Sequence, residues 1–168
     1  MAANSLQFIK LELPTMEQQL KYVADHLQEK DAIEVSLYKE AGQTNYECLY
    51  NVLRECIDPC LVLSHGDIIG VIGHKPVAKD GYDIALMCVL TTHNVKKHHK
   101  DYFKAAKQFV SALASEYDAV VCEVLDGYEP SIKMLDKFGF ALAAEYERKD
   151  HKILVKVLRI SHGNDSAK

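Results

Sequence analysis

No apolar run in this chain approaches the roughly 20 residues that a membrane span needs, and its first residues lack a charged region followed by an apolar core. Neither a spanning helix nor a secretory leader is expected, so the protein is expected in the cytosol where it is made. A cysteine framework is missing too. Cys48, Cys56, Cys60, Cys88 and Cys122 are an odd number without paired spacing, which argues against a disulfide-built fold and predicts reduced thiols, two of them inside strands. There is no excess of positive charge: the formal net charge is −4 and the pI near 6.0, which argues against general nucleic-acid binding. There is no internal repeat, and the one low-complexity stretch is the polar tail 161–168, expected to fray.

Metal-ligand spacing is also absent. Of eight histidines, His93, His98 and His99 cluster and His65 and His74 flank a hairpin, but no carboxylate follows at a helical ligand interval within His93 to Lys100. Cys56 and Cys60 bracket a proline turn without the second ligand pair of a zinc ribbon. No metal site is predicted, and no Ser-His-Asp or Cys-His arrangement stands out.

What is present is enough for one core. At 168 residues with 48% hydrophobic content, a single domain over 1–160 is expected. Its centre is the stretch from Tyr82 to Phe140. Ile84 to Leu90 and Ala119 to Leu125 are short, continuous apolar runs of the kind that sit mid-sheet. Between them Tyr102, Ala105, Ala106, Phe109, Val110, Leu113 and Ala114 recur at helical spacing, with Lys100, Lys104 and Lys107 on the opposite side. This predicts a helix from about Lys100 to Glu116 that crosses between two parallel strands. Asp126-Gly127 then turns the chain, Pro130 suits a first helical turn, and Ile132, Leu135 and Phe138 face inward before Gly139 ends a second helix.

Upstream, Leu6 to Leu13 alternate as a first strand ending near Pro14. Thr15 with Gln18 has capping-box spacing and predicts one helix to about Lys30; Thr44 with Glu47 repeats it before a helix to about Cys56. Ala32 to Lys39 fits a strand or a helix face and stays unassigned. Cys60 to Leu63 and Ile68 to Ile72, joined by Ser64-His65-Gly66-Asp67, predict a hairpin, and Ala141 to Glu147 with Lys152 to Ile160 predict a closing one.

In this order the elements resemble the GCN5-related N-acetyltransferase (GNAT) superfamily over most of the chain. The most specific stretch, Tyr128-Glu129-Pro130-Ser131-Ile132-Lys133-Met134-Leu135-Asp136-Lys137-Phe138-Gly139-Phe140, is similar to the helix and Gly-Phe exit that precede the last two strands there. More narrowly, Cys60 to Gly73, Leu86 to Lys104 and Ser131 to Phe140 resemble the GNAT-like proteins of tailed bacteriophages, including the small internal virion protein of short-tailed phages. The resemblance implies an α/β (α+β) acyl-CoA N-acyltransferase fold, with a central mixed sheet flanked by helices.

It also implies acetyl-CoA as the cofactor, lying along Val89 and Leu90 and onto the following loop. The family's glycine-bearing phosphate loop falls on Lys96-Lys97-His98-His99-Lys100-Asp101, placing His99 and Asp101 where small residues stand. Lys96, Lys97 and Lys100 either supply point-charge contacts to the phosphates or form a solvated basic helix start. The family's general-acid tyrosine falls on Leu135, which holds no proton; Tyr128 at the mouth of the same helix is the candidate substitute. Glu123, a carboxylate within an apolar strand, is the candidate general base for an amine, or else points to solvent or pairs with a lysine such as Lys133.

Two readings follow. One is a phage-encoded protein with a degenerate acetyl-CoA site, non-catalytic, acting through contacts with a phage or host protein in the virion or host cytoplasm. The other is an active N-acetyltransferase that takes acetyl-CoA between Ile84 to Leu90 and Ala119 to Leu125 and modifies an amine of a protein or small molecule. A weaker third reading is a host-takeover factor that binds a cellular protein.

Overall fold

The computed structural model describes residues 5–161, so the expected tail lies, from 162 on, outside the described residues. The elements in chain order are β1 (Leu6–Lys10), α1 (Glu17–Asp25), α2 (Glu29–Tyr38), α3 (Asn45–Arg54), β2 (Ile57–Ser64), β3 (Asp67–Lys79), β4 (Tyr82–Thr91), a 3-10 turn (His93–Lys97), α4 (His99–Glu116), β5 (Ala119–Leu125), α5 (Glu129–Lys137), β6 (Ala141–Arg148) and β7 (His151–Arg159). The strands order as β1-β2-β3-β4-β5-β7-β6 in one seven-stranded sheet. It is mixed: β4 and β5 run parallel from Ile84↔Ala119 to Met87↔Cys122, and the remaining registers recorded are antiparallel. Helices flank it, which is the expected fold class.

Local chemistry explains most element ends. Thr44 accepts from the Glu47 amide while the Glu47 carboxylate accepts from the Thr44 amide, a complete capping box at the start of α3. The β2–β3 and β3–β4 turns place His65-Gly66 and Asp80-Gly81 at positive φ, the two-residue geometry that matches the strand twist.

The helix expected to run from Thr15 to Lys30 is broken instead. The Gln28 amide donates to the Thr91 carbonyl (3.0 Å) and the His93 amide to the His26 carbonyl (3.0 Å), a one-residue antiparallel bridge between Leu27 and Thr92. Those backbone bonds draw the chain out of the helix between α1 and α2. The Thr15 capping box does not form either; Met16 occupies the N-cap position without a side-chain bond. The unassigned segment is α2. In α4 the buried stripe is Ala105, Ala106, Val110 and Leu113, whereas Phe109 is only half-buried. In α5, Ile132 and Phe138 are half-buried rather than inward.

The chain divides into two compact units: residues up to Lys75 with Cys88–Ala106, and Pro76–Met87 with Lys107 onward. The first is built on Leu20, Val23, Leu49, Leu53, Leu61 and Val71, all buried. Burying side chains of this size stabilises by about 1.5–3 kcal/mol each. In it Gly70 passes so close to β4 that a Cβ there would lie 2.5 Å from the Leu90 carbonyl oxygen. In the second unit Val120, Val124, Leu135, Phe140 and Ile153 are buried. The five cysteines are free thiols; burial pushes Cys56 and Cys60 above their ordinary values, the opposite of activation.

Candidate functional site

In the first unit the end of β4, the 3-10 turn and the start of α4 form a polar junction that the sequence only partly disclosed. Thr92 caps the turn: its hydroxyl donates to the Ile68 carbonyl (2.7 Å) and accepts from the Asn94 amide (3.3 Å). Asn94, buried, donates from its side chain to the Tyr22 hydroxyl (2.9 Å) and the Ile68 carbonyl (3.0 Å). The amides of Thr92, His93, Val95 and His98 donate to backbone oxygens of Ile69, His26, Thr92 and Val95. No residue of Thr92–Asp101 has positive φ, and the segment contains no glycine.

A phosphate cradle needs converging, unspent amides and close backbone approach. The amides of Thr92, His93, Val95 and His98 are satisfied within the protein, so these four do not form a backbone nest for the pyrophosphate of a coenzyme A. What remains is the first turn of α4, whose first intrahelical bond runs from the Tyr102 amide to the His98 carbonyl.

The two residues expected to obstruct that loop differ in role. Asp101 is turned into the protein, accepting from Ser64 (2.6 Å) and Ser5 (3.0 Å). The Ser64 hydroxyl holds its carboxyl below the usual carboxylate range, with Ser5 adding to the effect and burial opposing both. His99 is exposed. The neighbouring His98 bonds Asp67, the first residue of β3 (2.9 Å), and lies near-parallel to the His65 ring at 5.6 Å. That bond holds Asp67 below its ordinary value. Lys96, Lys97 and Lys100 are exposed, and none has a carboxylate within ion-pair distance among the described residues. Val89 is half-buried and Leu90 buried, its carbonyl against Gly70.

Sequence reasoning missed a second cluster on the α1–α2 link. Asp31, buried, accepts from the Thr91 hydroxyl, which itself accepts from the Gln28 side chain (2.6 Å). His26 stacks on Tyr22 (4.1 Å) and lies 5.3 Å from the His93 ring. Its Nδ1 is 2.7 Å from the Tyr22 carbonyl oxygen. A carbonyl only accepts, so Nδ1 carries a proton, and in the neutral form of the ring the lone pair lies on Nε2. Thr91 and His93 lie 60 to 67 residues from their partners Asp31, Gln28 and His26, and no spacing pattern links the two groups.

In the second unit Glu123 accepts from the Tyr146 hydroxyl (3.0 Å). The expected alternative partner, Lys133, is exposed. Tyr128 is the buried N-cap residue of α5, and Leu135 is buried on the same helix. Asp136 takes the ammonium of buried Lys156 at 2.6 Å. No group of three or more His, Cys, Asp or Glu residues able to hold a metal ion occurs among the described residues. No helix among them is long and apolar enough to cross a membrane.

No family model matches the sequence, and no curated protein is significantly similar to it. Solved structures do match. The ribosomal L7/L12 alpha-N-protein acetyltransferase RimL in complex with coenzyme A superposes with a TM-score of 0.67 at 9% identity, covering 95% of this chain and 97% of that one. A GNAT-family acetyltransferase from Bacillus anthracis gives 0.63 at 12% identity, with 95% and 97% covered. AAC(6')-Ib in complex with ribostamycin and coenzyme A gives 0.66 at 16% identity, with 93% and 94% covered. At these identities the likeness is one of fold, and the fold is that of the GNAT acetyltransferases.

Proposed function

We propose that this chain is a GNAT-fold protein with a degenerate acetyl-CoA site that acts through protein contacts instead of acetyl transfer, as an accessory or virion-associated protein of a tailed phage. The observation that carries the reading is the segment Thr92–Asp101. The amides of Thr92, His93, Asn94, Val95 and His98 and the side chains of Thr92, Asn94, His98 and Asp101 bond the protein itself, the segment lacks glycine, and a leucine stands where the family's acid belongs. The phage assignment rests on the sequence resemblance of Cys60 to Gly73, Leu86 to Lys104 and Ser131 to Phe140. The test is thiol release from acetyl-CoA in the presence of a panel of polyamines, aminoglycosides and peptide N-termini. The reading expects no release above the rate without protein; turnover overturns it.

One observation favours a second reading, an N-acetyltransferase acting on an amine. Structures of this fold were solved with coenzyme A, and His26, on the α1–α2 link, donates from Nδ1 and so presents Nε2 as an acceptor when neutral. Glu123 with Tyr146 is the other candidate general base. If the panel shows turnover, His26→Ala and Glu123→Gln separate them, the true base losing about 100-fold or more in rate.

A further inference from the structure

We propose that the start of α4 is a docking surface for an acidic segment of a partner protein that also carries apolar side chains. The proposal rests on the protein-contact reading above and names the surface and the chemistry of the partner. Lys96, Lys97, Lys100 and Lys104 are all exposed in a chain of net charge −4, and none reaches a carboxylate among the described residues. The two nearby carboxylates are committed elsewhere, Asp67 to His98 and Asp101 to Ser64 and Ser5. Lysines at the N-terminal end of a long helix also add to the positive end of its dipole, so the local field favours an anion.

The form of the anion follows from what surrounds the charges. Lys100 and Lys104 are one helical turn apart, about 6 Å along the axis. That spacing suits successive carboxylates of a peptide better than one compact phosphate. Between them Phe103 is 36% exposed, an aromatic face that an apolar side chain of the same segment can cover. Lysine point charges give encounter rate and salt sensitivity. The aromatic gives contact that salt does not screen.

The experiment uses the full chain and a fluorescent synthetic peptide that alternates glutamate with leucine. Binding is expected to weaken several-fold between about 50 and 200 mM salt. The combined K96E, K97E and K100E substitutions should weaken it at least about tenfold, with unchanged circular dichroism and melting, because these side chains are solvated. Phe103→Ser should weaken binding about threefold while leaving the salt dependence intact. A peptide with lysine replacing glutamate should not bind. Failure of the acidic peptide to bind, or equal binding by the triple variant, overturns the proposal; tighter binding of a single-stranded oligonucleotide of equal charge overturns the protein partner. Acetyl-CoA turnover that survives the triple substitution overturns the protein-contact reading instead, so the two failures are distinguishable.

Discussion

The hydroxyl of Ser64, with no exposed surface, donates to the Asp101 carboxylate over 2.6 Å and so fastens the first turn of α4 to the end of β2. The bond lowers the Asp101 carboxyl below its ordinary value. A depressed folded value means stability that is fully present above the unfolded value near 4 and is lost as pH falls through the lower folded one. Ser64→Ala should therefore cost about 1–2 kcal/mol at pH 7, and the gap to wild type should narrow below about pH 4. Urea denaturation at several pH values checks this; a gap independent of pH would contradict it.

Gly70 leaves no room for a side chain, since its Cβ would meet the Leu90 carbonyl at 2.5 Å. Gly70→Ala should cost at least about 2 kcal/mol by forcing β3 and β4 apart. Gly66→Ala meets nothing within 4 Å and strains only its positive φ, so about 1 kcal/mol is expected there. Equal losses for the two substitutions would mean that the strand approach is not tight.

The contrast between those glycines shows where sequence reading succeeds. Turn glycines such as Gly66 announce themselves by their neighbours, and the capping box at Thr44, the parallel pair Ile84 to Leu90 with Ala119 to Leu125, and both hairpins were legible from local pattern. Gly70 was not, because its constraint comes from a strand about 20 residues away. The break between α1 and α2 escaped for the same reason: His26 and Gln28 leave the helix to bond Thr91 and His93. The missing glycine in the phosphate loop was plain in the sequence. The inward turn of Asp101 was not, since the serines that bind it are distant in the chain.

The buried Asp31 accepts from Thr91, and Thr91 from Gln28. Thr91→Val keeps the shape but removes one donor from a buried carboxylate and the acceptor from an amide. A loss of about 1–3 kcal/mol is expected. Thr91→Ser, which keeps the hydroxyl, should recover most of it. Thermal melts of the two variants compare them directly.

Lys156, buried, depends on the half-exposed carboxylate of Asp136. Removing the carboxylate alone, in Asp136→Ala, should destabilise by about 2–3 kcal/mol because the ammonium stays buried. Lys156→Met in the same background should restore much of the loss, since a buried ion pair is often replaceable by an apolar side chain. A double variant no more stable than Asp136→Ala would show that the ammonium has another anchor.

Calorimetric titration of the full chain with acetyl-CoA bears most directly on the central claim. With the amides of Thr92, His93, Asn94, Val95 and His98 bonded to the protein and no glycine between Gly81 and Gly127, the account predicts a dissociation constant weaker than about 1 mM, corresponding to less than about 4 kcal/mol of binding free energy. A micromolar constant would contradict it.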